Sequence, residues 1–538
     1  MKLIPSLFLS ATIALAGGSA NAQSLPFDST FGVNGVAALD ALPAYNVVDI
    51  AMQRDGKILC LYGSSSYTYI IRVNADGTLD NTFMGGEGSR HYAPFPTPVP
   101  GIWQIGGKVC VIDGSLVKQT YDDKVLGVFS GYAIVRLKAN GVTDSTFGSS
   151  PGTPGYITLN GGTSPHKLDF VYDIYDAHEA GLYYSGHTTL GTSGMADTLL
   201  IAKTTKDGAL AGTYGMGGML SVPMDTTKFG YYNEIRQSVF TADGKILVIG
   251  TGYRRDHAST GTDAFVARFN LDGTYDNTFG TGGVKFIDID NEEQTPFNLV
   301  LGAGGSIFIS GNTNVVTGTP RRYFTAKLTA SGNMDASFGT GGIVLNTPDG
   351  SWITSNVAST AVTSYGKVYR SSAYSVVFMD LRDEYYAFNA DGSANTHFAA
   401  GGVINPLGHI NNDTYDKAYR MITQPDNKIL IMGAGNEHPK LMRINGDVPP
   451  TAVGSVAENK IKAWVAGGDA YIAGIARGEQ AEACLYTADG RIVRTYSSSE
   501  LATSGSTTKL QLPTGMVPGM YIFSVQTRDG KQQVKFIY

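Results

Sequence analysis

Residues 270–284 read NLDGTYDNTFGTGGV and hold four glycines, two aspartates and a phenylalanine in fifteen positions. Such a stretch either cradles a ligand or turns the chain, and its recurrence separates the two readings. An aromatic residue among similar Gly, Asp and Asn neighbours returns in DSTFGVNGV at Phe31, DGTLDNTFMGGEG at Phe83, NGVTDSTFGSSPG at Phe147 and DGALAGTYGMGGM at Tyr214. It returns again in SGNMDASFGTGGI at Phe338 and DGSANTHFAAGGV at Phe398. With Phe279 included, the steps are 52, 64, 67, 65, 59 and 60 residues, an internal repeat in seven copies.

A second element recurs between these turns: DGKILCLYG at 55, GGKVCVIDG at 106, EAGLYYSG at 179, DGKILVIG at 243, GGSIFISG at 304, YGKVYRSS at 365 and DNKILIMG at 426. Each is a turn followed by a short run rich in Ile, Val, Leu and Tyr, the pattern of a tight turn into a buried strand. A third element, seen in IIRVNADG, AIVRLKANG, FVARFNLDG, FTAKLTASG and LMRINGD, adds a strand that ends in an Asx-type turn. With the runs flanking these elements, each repeat supplies about four short strands and no helix. Four antiparallel strands in a radially repeated unit of about 60 residues predict an all-β, seven-bladed β-propeller, whose repetition leaves only short sheet edges. The chain starts partway through a repeat and its last repeat stops at LMRING, so residues 31–39 are expected to pair with the strand at 440–445 and close the ring as an N-terminal strand.

The run ARFNLDGTYDNTFGTGGV, together with ADGKILVIG, resembles the delta-60 repeat family of bacterial proteins over roughly residues 26–447. That resemblance implies a repeat architecture and carries no general activity.

The N-terminus, MKLIPSLFLSATIALAGGSANAQ, has one Lys, an apolar stretch and small residues up to Ala22, a secretory signal over 1–22 with cleavage expected between Ala22 and Gln23. No other apolar run reaches the roughly 18 to 20 residues of a membrane helix, so no transmembrane segment is expected in the mature chain. Charged residues are 16% and glycines number 68 of 538, a turn-rich and weakly charged composition. The net charge of −6 comes with dispersed basic residues, which leaves no electrostatic footprint for nucleic acid. Three cysteines, Cys60, Cys110 and Cys484, make no disulfide framework. Cys60 and Cys110 fall in equivalent strands of adjacent repeats on this reading, as buried free thiols.

The repeats, 23–447, give way to a Pro/Ala/Ser/Gly linker at 448–456, and the tail, 457–538, reads as short alternating strands of a small β-sandwich. Its LYTADGRIV and LPTGMVPGMYIFSVQTRDGKQQVKFIY resemble the C-terminal sorting domain of type IX secretion substrates in Bacteroidetes, although the Asn-Pro pair usual early in that domain is missing. The resemblance implies the type IX secretion machinery as a partner, with export across the outer membrane and then attachment or release.

Asn270, Asp272 and Asp276, and likewise Asn74, Asp76 and Asp80, are spaced rather like acidic calcium loops. Calcium wants six to eight oxygens, and one loop offers three side chains at most. The pattern also decays, with Ser331 at one Asp position and Ala211 at another. Asx capping, with Phe279 buried and the glycines at positive φ, accounts for the stretch as a turn. The sequence holds no GxSxG elbow, no HExxH and no arginine triad of the sialidase kind. His178 and His187 lie nine apart around a strand turn and read as core or exposed residues. No catalytic, metal or cofactor residue is therefore assigned and no cofactor is expected.

What remains is surface. Three long connections, 114–131, 251–263 and 311–322, are read as joining second and third strands on one face, which would gather Arg254, Arg255, Arg321 and Arg322 beside Tyr121 and Tyr253. Arg with Tyr is the mixture favoured at recognition sites. The expectation is a secreted or cell-surface, non-enzymatic binding or adhesion protein with a surface glycan or protein as ligand. The alternative is an extracellular polysaccharide hydrolase or lyase with its site at the propeller channel.

Overall fold

A computed structural model describes residues 27–39, 46–53, 55–63, 68–83, 89–92, 109–112, 124–129, 133–148, 154–159, 170–177, 180–188, 198–225, 227–254, 261–314, 322–347, 357–377, 380–396, 398, 402–404, 417–435, 438–446, 462–466, 469–473, 482–487, 492–501, 507–513, 516, 520–527 and 530–537. The chain divides into two compact units, Met1–Val448 and Pro449–Tyr538.

Among the described residues the first unit holds seven four-stranded antiparallel sheets. In sheet 1, strand Asn46–Met52 is followed by Ile58–Gly63, Thr68–Val73 and Ser89–Tyr92. Sheet 2 runs from Val109–Ile112 through Lys124–Phe129 and Ala133–Leu137 to Tyr156–Thr158, and sheet 3 from Phe170–Asp176 through Leu182–Thr188 and Thr198–Thr204 to Met219–Pro223. Sheet 4 comprises Phe229–Phe240, Ile246–Arg254, Asp263–Phe269 and Val284–Ile287. Glu293–Leu301, Ile307–Asn314, Tyr323–Leu328 and Ile343–Asn346 form sheet 5. Val357–Val362, Val368–Val377, Asp380–Phe388 and Val403–Ile404 form sheet 6. Sheet 7 has Lys417–Thr423, Ile429–Gly435 and His438–Ile444, and its fourth strand is Val36–Ala38, in register Val36 to Met442 and Ala38 to Lys440.

Consecutive sheets share apolar clusters, and the order of clusters is cyclic. Leu247, Ile249, Ile307 and Ile309 join sheets 4 and 5, and Tyr369, Tyr385, Ile429 and Ile431 join sheets 6 and 7. Leu430, Met432 and Leu441 of sheet 7 then pack with Ile50, Ile58 and Cys60 of sheet 1. The physical cause is the period-2 pattern of each strand: alternate apolar residues face opposite sides of the sheet, so both faces must be covered by neighbours.

Sheet 2 departs from the sequence reading. Val109–Ile112 is its first strand and Lys124–Phe129 its second, so DDKVLGVF, not GGKVCVI, fills the place of DGKILCLYG. Cys60 and Cys110 therefore occupy non-equivalent strands; Cys60 is buried and its thiol is pushed up to about 12 by desolvation.

The repeated turn is built from one ion pair and one aromatic ring. Arg268 Nε donates to Asp276 Oδ2 at 2.9 Å, and Lys245 Nζ lies 3.4 Å from the same oxygen. The guanidinium stacks 4.8 Å over the Phe279 ring and reaches across to donate to Ala330 O of the next repeat at 2.6 Å. Phe279 is fully buried, and the next repeat's turn glycine, Gly332, sits directly on it at φ +82°, where an added Cβ would come 2.7 Å from the ring. Only glycine fits that combination of close approach and left-handed backbone. The same unit recurs as Arg72, Asp80 and Phe83 and as Arg136, Asp144 and Phe147. In sheet 7 it is assembled from distant parts of the chain: Arg443 Nε bonds Asp28 Oδ2 at 2.7 Å, stacks 4.5 Å over Phe31 and donates to Ala75 O at 2.6 Å.

The second unit has a three-stranded sheet, Lys462–Ala466, Asp469–Ala473 and Thr507–Gln511, and a four-stranded sheet ordered Ile492–Tyr496, Glu482–Thr487, Met520–Thr527, Gly530–Ile537. Both contribute to one core that includes Ile472, Leu485, Leu510 and Phe523.

Because Phe279 seals two repeats at once, Phe279→Ala is expected to cost about 3–5 kcal/mol in urea unfolding, the usual range for emptying a buried aromatic site. Asp272→Ala, which loses only an exposed local cap, should cost about 1 kcal/mol. Equal effects of the two substitutions would contradict this division.

Candidate functional site

The acidic turns were the first candidate. In the structure Asp272 Oδ1 accepts from Thr274 N at 3.0 Å and from Thr274 Oγ1 at 2.6 Å, and Asn270 Nδ2 donates to that hydroxyl at 2.8 Å. Asp276 Oδ1 is held in the same way by Thr278, at 3.1 and 2.7 Å, while Oδ2 takes Arg268. The copy at Asn74, Asp76 and Asp80 repeats these contacts with Thr78, Thr82, Arg72 and Lys57. The carboxylates thus face their own turn. The hydrogen bond from Thr278 leads in bringing Asp276 down to about 2, against an opposing contribution from burial. Asp144 falls to about 2 although burial pushes it up, because Thr146 and Arg136 outweigh that push, and Asp335 reaches about 2 through Ser337 and Lys327. Among the described residues no group of three or more His, Cys, Asp or Glu could hold a metal.

The expected Arg and Tyr face is only partly described. Tyr253 is 37% exposed near the end of strand Ile246–Arg254. Arg254 is the register partner of Phe229. Tyr121, Arg255, Arg321 and His178 lie outside the described residues, as do Ala22 and Gln23. Arg322 is matched in charge, its guanidinium forking to Asp290 Oδ2 and Glu292 Oε2, each at 2.7 Å. Because Lys124–Phe129 is a second strand, residues 113–123 join first and second strands of sheet 2, and Tyr121 does not share a connection type with Tyr253.

A different group of side chains comes together along the first strands. Each first strand pairs on one edge only, with its second strand, and successive first strands stand side by side from sheet 3 to sheet 7, with sheet 7 beside sheet 1 and sheet 1 beside sheet 2. Their unpaired edges therefore face the axis that they surround. Six of the seven carry a bulge, falling between Val47 and Asp49, Val171 and Asp173, Ile235 and Gln237, Pro296 and Asn298, Val357 and Ser359, and Ala418 and Arg420. A bulge re-aims a side chain and tightens the local twist. In sheets 3, 4 and 6 the residue after it hooks the next first strand: Asp173 Oδ2 accepts from Phe240 N at 2.9 Å, Gln237 Oε1 from Leu299 N at 2.8 Å and Ser359 Oγ from Met421 N at 2.9 Å.

The bulged residues of sheets 3, 4 and 5 are Tyr172, Arg236 and Phe297, and they form a continuous stripe. Tyr172 donates to Ile235 O at 3.1 Å and packs, partly buried, against the apolar cluster between sheets 3 and 4, and Arg236 lies 5.9 Å from the Phe297 ring centroid. Arg236 also pairs with Glu234 at 2.8 Å, with the two side chains 36% and 27% exposed. Arg236 Nε has no hydrogen-bond partner among the described residues. Phe170 and His187 extend the aromatic side, His187 lying 5.3 Å from Tyr172. The first strands of sheets 3, 4 and 5 carry none of the repeated motifs, so the sequence offered no direct signal for this stripe.

Four segments of the chain, 53–83, 241–279, 305–338 and 424–447, match a family profile described as a domain of unknown function (DUF5122) beta-propeller. The repeats are β-propeller repeats. No curated protein matches the chain. Among solved structures it is similar to a streptogramin B lyase (11% identity, TM-score 0.40, covering 76% of this chain and 97% of that one). It is also similar to virginiamycin B lyase from Staphylococcus aureus (12%, 0.39, 75% and 97%) and to prolyl oligopeptidase B from Galerina marginata (11%, 0.35, 90% and 56%). At this level of similarity no chemistry transfers from them to this propeller.

The turn carboxylates set the acid stability. Their native pKa values near 2 lie below the roughly 3.9 of an unfolded Asp, so the unfolded chain binds more protons on acidification. Their contribution is complete above about pH 4 and is lost as the pH falls toward about 2. Urea midpoints should stay level down to that window and then drop, with a shallower drop after Asp144→Asn and Asp276→Asn; an identical acid profile in that double variant would contradict the assignment.

Proposed function

We propose that the chain is a secreted or cell-surface, seven-bladed β-propeller of the delta-60 kind, closed by its N-terminal strand, with a non-enzymatic binding or adhesion role. On this reading residues 1–22 direct secretion, and the domain from about 457 is a type IX sorting domain that the secretion machinery recognises. Closure of the ring is supported by the pairing of Val36–Ala38 with His438–Ile444 and by the bond of Arg443 to Asp28.

The observation that carries the binding role is the partly exposed Tyr172–Arg236–Phe297 stripe, beside turn carboxylates that the fold holds in the charged form. The turn carboxylates Asp28, Asp80, Asp144, Asp276 and Asp335 are all moved down. A general acid working near neutral pH needs the opposite shift. Glu234, on the same stripe, is the feature that favours the alternative, a polysaccharide hydrolase or lyase, and it is paired with Arg236 at 2.8 Å.

Export and role are tested together in a bacterium with type IX secretion. The full chain is expected at the cell surface, and a chain cut after about residue 455 in the periplasm, folded. Purified propeller mixed with polysaccharides should retain them without releasing reducing ends or unsaturated products. Surface delivery of the truncated chain would overturn the sorting assignment, and product release would overturn the binding role.

A further inference from the structure

We infer that the axis-facing stripe of Tyr172, Glu234, Arg236 and Phe297 is a subsite for a neutral pyranose unit of a glycan. The inference rests on the binding reading above and specifies its ligand.

A pyranose presents two chemistries at once: a rim of vicinal hydroxyls, each able to donate and accept, and a flat face of C–H groups. The stripe offers the complement of both. Arg236 and Glu234, 2.8 Å apart and both partly exposed, place a planar donor fork next to an acceptor, so adjacent hydroxyls find one of each. On either side of the pair stand aromatic rings, Phe297 at 5.9 Å from the guanidinium and Tyr172 against the neighbouring strand, and rings present the apolar surface on which a sugar face stacks.

Charge selects among glycans. The Arg236 and Glu234 pair is neutral as a unit, so a uronate or sulfated sugar that takes Arg236 must leave Glu234 unmatched, and a cationic ligand must do the same to Arg236. Separating a paired charge in a half-buried site is costly, whereas a neutral sugar bonds both partners without parting them. A peptide ligand would be served by a long unpaired strand edge or an apolar groove, and the stripe is neither; it is short, partly polar and crosses three strands. Rigidity adds to the case, because the bulges at Tyr172 and Arg236 are each fixed by the next residue, whose side chain accepts a hydrogen bond from the neighbouring strand, Asp173 from Phe240 N and Gln237 from Leu299 N. The side chains are thus positioned before any ligand arrives, which limits the ordering cost of binding.

The test is affinity electrophoresis of the full mature chain in gels cast with a neutral β-glucan, galactan or mannan, and with alginate as the acidic polymer. At least one neutral polymer should retard the protein, with retardation unchanged between low and high salt. Arg236→Ala and Phe297→Ala should each weaken it about tenfold or more, the scale of a lost central contact, while Phe297→Trp keeps it and shows that the site still folds. Lys509→Ala, in the second compact unit, should leave it unchanged. No retardation by any neutral polymer, or retardation indifferent to both stripe substitutions, overturns the inference. Retardation by alginate alone overturns it too but leaves the binding role standing, whereas shortening of a retained neutral polymer overturns the binding role and leaves the subsite assignment intact.

Discussion

The structure depends on an aspartate that answers to an arginine eight residues before it, and on that arginine's second contact with the following repeat. Asp80, Asp144 and Asp276 each take the Nε of such an arginine at 2.7 to 2.9 Å. The free arm of the guanidinium then donates to a turn carbonyl one repeat on, at Ala139 for Arg72, Lys206 for Arg136 and Ala330 for Arg268. A buried ion pair is a weak source of stability because both charges must be desolvated. Its value here is geometric: the carboxylate aims the guanidinium, and the guanidinium sets the distance between neighbouring sheets. Turn capping, Phe burial and sheet spacing follow from it.

In the fifth repeat a lysine replaces the arginine, Lys327 Nζ lying 2.9 Å from Asp335 Oδ2, and in two other repeats no such pair stands. In the third repeat Lys203 and Ala211 stand in its place, and the Tyr214 hydroxyl reaches forward to Leu271 O instead, keeping the inter-repeat tie with a different donor. In the sixth, Ala387 and Asn395 replace it, and the tie runs backward. Fully buried Arg370 donates to Thr325 at 3.1 Å and to Asn346 at 2.9 Å in sheet 5, with the Tyr386 ring 4.6 Å below. Desolvation brings Arg370 down to about 10, which leaves it charged near neutrality. Arg370, in the YGKVYRSS element, therefore serves the same purpose from the other side.

The repeat, its period and its turn chemistry were legible because Gly, Asp and Phe mark places where backbone geometry admits few alternatives, as Gly332 on Phe279 shows. The eight-residue interval between Arg and Asp was also present in the letters, yet its meaning depends on a hairpin that brings third strand and turn together. In the second repeat, where GGKVCVI imitates the consensus, local pattern pointed to the wrong strand and the sheet order corrected it. The candidate site was not legible at all. Tyr172, Arg236 and Phe297 sit in strands without a shared motif, and only the bulges, a property of pairing rather than of composition, turn them toward one another.

The same unit joins the two ends of the repeat region when split across the chain, with Arg443 and Asp28 lying 415 residues apart. A double-mutant cycle of Arg443→Met and Asp28→Asn, read by urea unfolding beside the cycle of Arg268→Met and Asp276→Asn, measures it directly. The account predicts a coupling of about 0.5–3 kcal/mol for the split pair, no smaller than for the local one. Additivity of the two substitutions at the split pair to within about 0.3–0.5 kcal/mol, alongside clear coupling at the local one, would contradict it.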